Sequence, residues 1–213
     1  MSGWEPIPGE TPIDDISGLI ARHVTHRGQL NIVEAENIRR ATVKYLSARP
    51  SRRQAPFTLE WTYKLHKEMF GAVWKWAGVR RTIELNMGVP HYQIDVGMED
   101  LLRDLPLWGK SMVFEEQAAR LHHRAVQIHP FLNGNGRWSR MLANIWLRRN
   151  GSLITIWPDE TVNRSSTIRD EYLKAVRAAD AGDLEPLIAL HRKYAEPVMP
   201  NPVQVVRRDD DES

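Results

Sequence analysis

Apolar positions along this chain keep a helical rhythm almost throughout. From Leu30 to about Ala48, in "LNIVEAENIRRATVKYLSA", Leu30, Val33, Ile38, Ala41 and Tyr45 recur at the spacing of one helix face. "RPSRRQAP" interrupts it with two prolines. Thr58 then stands where it can cap "LEWTYKLHKEMFGAVW", with Glu60 in the first turn and Leu59, Tyr63, Leu65 and Met69 as the apolar side. Another helix is predicted from about Met98 to Trp108, and a stronger one from near Val113, where Phe114, Ala118, Leu121, Ala125 and Ile128 form a stripe. Helix resumes in "RWSRMLANIWLRRNG", for which Gly151 is a stop, and again in "RSSTIRDEYLKAVRAADAG" and "LEPLIALHRKYAE". Only Thr82 to Ile94 alternates as strands do. Ile83 and Leu85 lie on one arm, Tyr92 and Ile94 on the other, and Asn86-Met87-Gly88 turns between them, which predicts a β-hairpin. "SLITIWP" fits strand or helix. The pattern predicts one mainly α domain with a single hairpin.

Composition narrows this little. The 213 residues are 42% hydrophobic and 26% charged, ordinary for a globular domain. A formal net charge of +2 is too small to argue for nucleic acid as a partner. No cysteine is present, so neither a disulfide framework nor a thiolate zinc site is available, and a reducing, cytoplasmic setting is the expectation. The start "MSGWEPIPGETPIDD" lacks the basic end and apolar core of a signal peptide, and no apolar run approaches transmembrane length.

The helical rhythm breaks at "HPFLNGNGRWSR", His129 to Arg140. His129 ends one helix and Pro130 forbids its continuation. Phe131 and Leu132 can pin the loop to the core. Asn133-Gly134-Asn135-Gly136 is backbone with little side-chain obstruction, able to turn its N–H groups inward around an anion. The next helix starts at once, adding its free N–H groups and positive dipole end. Arg137 and Arg140, three apart, share the first turn's face and suit phosphate oxygens. His129 beside them has the chemistry of a general base. Asn-Gly pairs also make turns between helices with no ligand at all. His122, His123 and His129 do not converge as metal ligands: His122 and His129 lie two turns apart, and His123 points elsewhere.

The segment resembles the Fic signature, His-x-Phe-x-(Asp/Glu)-Gly-Asn-Gly-Arg-x-x-Arg. It matches at His129, Phe131, Gly134, Asn135, Gly136, Arg137 and Arg140, and departs at Asn133, where most active members carry an acid. "WKWAGVRRTIELN…VPHYQI" is similar to the Gly-x-Arg stretch and hairpin flap that precede that signature, and "YLKAVRAADAGDLEPLIAL" to the end of the fold. "VTHRGQLNIVEAENIRRAT" resembles a bacterial subgroup called mobile mystery protein B. The resemblance covers roughly residues 30–195. It leaves 1–29 as an N-terminal arm and 196–213 as a tail whose composition predicts disorder. It implies a Fic-type helical bundle with one β-hairpin flap.

The resemblance also implies an activity: transfer of AMP from ATP to a Ser, Thr or Tyr hydroxyl of a target protein. His129 is then the catalytic base. Gly134, Asn135 and Gly136 hold the α- and β-phosphates through backbone and amide donors, and Arg137 and Arg140 neutralise the β- and γ-phosphates. Gly136 argues against the phosphate-transferring branch of the family, where lysine stands there. Magnesium would bridge the phosphates, with position 133 as its protein ligand; Asn133 offers an amide oxygen without the charge. An attenuated or non-catalytic nucleotide-binding protein is the alternative that Asn133 leaves open. Tyr172 and Asp180 fall near the base by resemblance, and equally read as a core tyrosine and a solvated acid. Ile83, Leu85, Tyr92 and Ile94 would dock an extended target segment along the flap, although an ordinary hairpin packed on helices has the same pattern. Many members are silenced by a (Ser/Thr)-x-x-x-Glu-(Gly/Asn) helix whose Glu pairs with the second motif arginine, here Arg140. Glu36-Asn37 supplies its last two letters, with Ile32 at the Ser/Thr place in what also reads as a core helix. An antitoxin-like regulator is the other arrangement; neither specific nucleic acid nor a membrane is expected as partner.

Overall fold

The computed structural model describes residues 18–20, 24–158 and 167–196, so most of the expected N-terminal arm and all but the first residue of the expected tail lie outside it. In order, the elements are α1 (Arg27–Leu46), α2 (Leu59–Phe70), α3 (Ile94–Trp108), α4 (Phe114–Ile128), α5 (Asn135–Arg149), β1 (Ile154–Thr155), α6 (Thr167–Asp180), α7 (Glu185–Lys193) and β2 (Ala195–Glu196). The fold is mainly α, as the apolar rhythm predicts. No helix among the described residues is long and apolar enough to cross a membrane.

Each boundary has a local cause. The Thr58 hydroxyl accepts the Trp61 N–H at 3.3 Å and starts α2 as predicted. At the start of α1 the His26 ring takes the same part, accepting from Gln29 N. Two acids, Glu115 and Glu116, complement the dipole in the first turn of α4. Gly151, at φ +78, ends α5 in the left-handed conformation.

α4 and α5 pack most extensively on each other and form the spine of the molecule. α1 and α2 cover α5 on one side, and α3 packs on α4. Between them lies a core in which Leu65, Met69, Phe70, Leu121, Phe131, Trp138 and Leu142 are fully buried. α6 and α7 form a smaller layer, packed around Tyr172, Ala175, Leu187 and Leu190 against Ala119 of α4. The sheet is one short antiparallel pair, with Ile154 opposite Glu196 and Thr155 opposite Ala195. Burial at this level makes hydrophobic packing the dominant favourable term.

The predicted hairpin is corrected. Residues 82–90 contain no paired strands, 91–93 form a single 3-10 turn, and α3 begins at Ile94 rather than Met98. Arg81 explains this. Its guanidinium enters between the two arms and donates to the Ile83 carbonyl at 2.9 Å and to the Val89 carbonyl. The arms are thus bridged by a buried side chain instead of by each other's N–H groups. Ile94 is fully buried in the core, so it does not share an outer face with Tyr92.

Candidate active site

α4 ends at His129, which adopts the left-handed conformation with φ +54 and ψ +61. A non-glycine residue held there costs about 1–3 kcal/mol, and neighbouring contacts hold it. The His129 N–H donates to the Ala125 carbonyl at 3.2 Å. Arg81 Nε donates to the His129 carbonyl at 2.7 Å, and the Arg81 N–H to the Pro130 carbonyl at 2.9 Å. The flap comes so close that a Cβ on Gly88 (φ +95) would stand 2.6 Å from His129 Cβ. His129 is 6% exposed, and its Nδ1–H donates to the Val126 carbonyl at 3.3 Å. That bond leaves Nε2 as the basic nitrogen. Burial, aided by the Arg81 charge, lowers its pKa to about 4 despite the Val126 bond. Its imidazole is therefore held neutral at neutral pH.

The loop after His129 is fixed from beneath. Asn135 Oδ1 accepts the Phe131 N–H at 3.0 Å and its Nδ2 donates to the Phe131 carbonyl at 2.8 Å. The Asn135 amide thus closes the loop on itself, while the residue also lines the cleft. Gly134, at φ +78, precedes the first residue of α5. A Cβ there would meet Phe70 at 2.7 Å, whereas a Cβ on Gly136 would meet nothing within 4 Å. Gly134 is therefore required by packing, and Gly136 faces open space where a ligand fits.

His66 of α2, passed over in the sequence, supports the same loop. It accepts the Gly78 N–H at Nδ1 (2.9 Å), donates from Nε2 to the Asn133 carbonyl (3.0 Å), and stacks on Phe131 at 3.7 Å. These partners demand one neutral tautomer, and burial lowers its pKa to about 3. Its only sequence signal was a histidine on the buried side of a helix, which ordinary packing also produces.

A cleft of about 800 Å³ opens over the loop, a size suited to a nucleotide. His129, Asn133, Gly134, Asn135, Gly136, Arg137 and Arg140 line its floor, Gly88 and Val89 one edge, and Tyr172, Asp180 and two unpredicted arginines, Arg169 and Arg177, the α6 wall. The structure thus gathers the expected catalytic and nucleotide residues in one place. Leu85 and Ile94 lie outside this lining; Ile83 and Tyr92 are exposed beside it on the flap.

The charged groups have specific partners. Arg137 Nη1 contacts Glu34 Oε2 at 2.5 Å, and the other Glu34 oxygen accepts the Trp74 indole N–H at 2.7 Å. Glu36 instead pairs on the surface with Arg39 and Arg40, so the glutamate of α1 that reaches the signature is Glu34, and it meets the first arginine. Arg140 lies over the rings of Tyr172 (5.4 Å) and Trp157 (5.8 Å), and its Nη1 has no hydrogen-bond partner among the described residues. Asp180 lines the cleft with an exposed carboxylate, and His123 Nε2 lies 2.8 Å from its Oδ1. The Tyr172 hydroxyl contacts His122 Nε2 at 3.1 Å, His122 Nδ1 lies 3.2 Å from His191 Nε2, and His191 Nδ1 is 2.7 Å from the Thr155 hydroxyl. This buried relay fixes Tyr172 under Arg140.

Magnesium does not fit these residues well. Asn133 Oδ1 accepts the Gly134 N–H at 2.6 Å, turning the amide back on its own loop. Asp180, engaged by His123, is the only acid among the described residues that line the cleft. Nor do the described residues hold a group of three or more His, Asp or Glu arranged to bind an ion.

Residues 56–147 match the model of the Fic/DOC family. The chain is similar to protein adenylyltransferase fic-1 of Caenorhabditis briggsae, with 33% identity over 127 residues, 56% of this chain and 23% of that protein. It is also similar to the Caenorhabditis elegans protein of the same name, at 38% over 81 residues, 38% of this chain and 15% of that one. This chain therefore spans under a quarter of the length of these curated relatives. Among solved structures, residues 134–508 of C. elegans Fic-1 superpose with a TM-score of 0.65 at 25% identity, covering 84% of this chain and 52% of that one. BepC of Bartonella tribocorum, solved with bound AMPPNP, superposes at 0.64 and 16% identity over 87% of this chain and 96% of its own.

Proposed function

We propose that this protein is a Fic-type protein adenylyltransferase, moving AMP from ATP to a Ser, Thr or Tyr hydroxyl of a target protein. The observation that carries the reading is the pairing of a neutral His129, its Nδ1–H held by Val126, with an anion cradle built from Gly136, the start of α5, Arg137 and Arg140. His129 Nε2 takes the hydroxyl proton as the oxygen bonds to the α-phosphorus. The bond from that phosphorus to the bridging oxygen breaks, and pyrophosphate leaves into the field of the arginines. The enzyme's part is positioning and charge. The names of the curated relatives and the nucleotide analogue in the Bartonella protein support this assignment. The exposed flap, with Ile83 and Tyr92 outermost, offers an extended target backbone a place beside His129. Intact-protein mass after incubation with each nucleoside triphosphate tests the reading. An added adenylyl group, from ATP and on wild type but not His129→Ala, is expected; an added phosphate or another nucleotidyl group contradicts it.

A further inference from the structure

Arg140 belongs to a closed ring of contacts that passes through α6, α4, α7 and β1 and returns to its own helix. Its guanidinium carbon lies 5.4 Å from the centre of the Tyr172 ring and 5.8 Å from that of Trp157. The Tyr172 hydroxyl on α6 stands 3.1 Å from His122 Nε2 on α4, and His122 Nδ1 stands 3.2 Å from His191 Nε2 on α7. His191 Nδ1 is 2.7 Å from the Thr155 hydroxyl on β1. Thr155 leads back to α5: its N–H donates to Asn144 Oδ1 at 3.0 Å, and Asn144 Nδ2 donates to its carbonyl at 2.8 Å. Asn144 is one helical turn past Arg140. His122 is the hub of this ring. It is fully buried, lies near-parallel to Tyr172 at 5.7 Å and meets Trp157 edge-on at 5.4 Å, so both aromatic rings beneath Arg140 rest on it.

Burial lowers the pKa of both His122 and His191, so both imidazoles are neutral, each with one hydrogen to donate and one nitrogen to accept. Two hydrogen-bond directions complete such a chain. In one, Thr155 donates to His191, His191 to His122, and His122 Nε2–H to the Tyr172 oxygen. In the other, Tyr172 donates to His122 Nε2, His122 Nδ1–H to His191 Nε2, and His191 Nδ1–H to the Thr155 oxygen. A phenol that donates its hydrogen becomes more electron-rich, which strengthens its attraction for a cation over its ring. The Arg140 charge, which acts on the Tyr172 hydroxyl, therefore selects the second direction. We propose that His122 is a positioning residue for the nucleotide: as the neutral Nδ1–H tautomer it accepts the Tyr172 hydroxyl, fixes that ring beneath Arg140, and so aims the guanidinium at the phosphates in the cleft. The proposal rests on the nucleotide reading above and deepens it.

Titration calorimetry of the whole chain with ATP, arranged as a double-mutant cycle, tests this. His122→Phe keeps a ring and loses both hydrogen bonds, and Tyr172→Phe keeps the ring beneath Arg140 and loses its hydroxyl. Each is expected to weaken ATP binding about fivefold to tenfold, the scale of one hydrogen bond. His122→Gln, whose side-chain oxygen can accept from Tyr172, is expected to recover most of that loss. In an Arg140→Met background neither Phe substitution is expected to weaken binding further, because each acts through the guanidinium. An equal loss in that background overturns the proposal and leaves the nucleotide reading standing. So does unchanged affinity in Tyr172→Phe, a result that needs no folded His122 variant. Nitrogen NMR of the His122 ring is expected to find the hydrogen on Nδ1, and a hydrogen on Nε2 overturns the proposal as well. Absence of ATP binding by wild type overturns the nucleotide reading itself, and the proposal with it.

Discussion

The Arg81 guanidinium donates to the backbone carbonyl of His129 at 2.7 Å, while His129 sits in the left-handed conformation at φ +54. One fully buried side chain thus holds the residue proposed as catalytic base and, through the Ile83 and Val89 carbonyls, both arms of the flap. Lysine keeps the charge but lacks the fork that reaches three carbonyls. Arg81→Lys is expected to lower stability by about 2–4 kcal/mol, since buried carbonyls lose their partners. Amide exchange in residues 82–90 should accelerate, and His129-dependent transfer should fall by about two orders of magnitude as the base is misplaced. Unchanged exchange in the flap contradicts the tether.

Glu34 anchors Arg137 from α1 with a side chain that is 5% exposed. Glu34→Gln leaves the arginine without its counter-charge in a partly buried position. Urea denaturation should show a loss of about 2–4 kcal/mol. If Arg137 serves phosphate while held by Glu34, ATP affinity in this variant changes less than stability does. A rise in transfer rate instead marks the pair as a brake on the site.

The two outer glycines of the Gly-Asn-Gly run separate packing from binding. Gly134→Ala forces a Cβ within 2.7 Å of Phe70 at φ +78, so it should cost about 2–4 kcal/mol in stability. Gly136→Ala meets nothing within 4 Å and should leave stability within about 1 kcal/mol of wild type. It should still weaken nucleotide binding, because the methyl group occupies the cradle. Equal stabilities for the two variants, measured by thermal and urea unfolding, refute this division.

Acid should unfold the protein earlier than its small net charge suggests. Burial lowers the pKa of His129 to about 4, of His66 and His191 to about 3, and of His122 well below the ordinary 6.5. In the unfolded chain these rings bind protons near 6.5, so the unfolded state holds more protons between that pH and the folded values. Their stabilising contribution is complete above 6.5 and is lost as pH falls through about 4. Urea midpoints should drop steeply from pH 7 to 5, with net proton uptake on unfolding. In the free enzyme, kcat/KM should hold down to about pH 5, since His129 stays unprotonated there. A rate limb near 6.5 contradicts this account of the base.

Much of this was legible in the sequence, and the reasons differ by element. Helical spacing over 10 to 20 residues predicts α1, α4 and α5 well, because one face of each must be buried. The signature loop is local, so its glycines, His129 and both arginines converge as expected. The flap was misread because alternation over four or five residues cannot reveal a guanidinium inserted between the arms. The loop closure by the Asn135 amide was not legible, because an amide next to glycines fits either a ligand or such a closure. Glu34 lies 40 and 103 residues from Trp74 and Arg137, and His66 lies 67 residues from Asn133, and no local pattern carries such pairings.

ATP labelled at the α-phosphate, compared with ATP labelled at the γ-phosphate, tests the central claim most directly. With wild-type protein, added target proteins should become labelled from the α-position only, and His129→Ala, folded by circular dichroism, should label nothing. Label from the γ-position, or equal α-labelling by wild type and His129→Ala, would contradict transfer of AMP by this site.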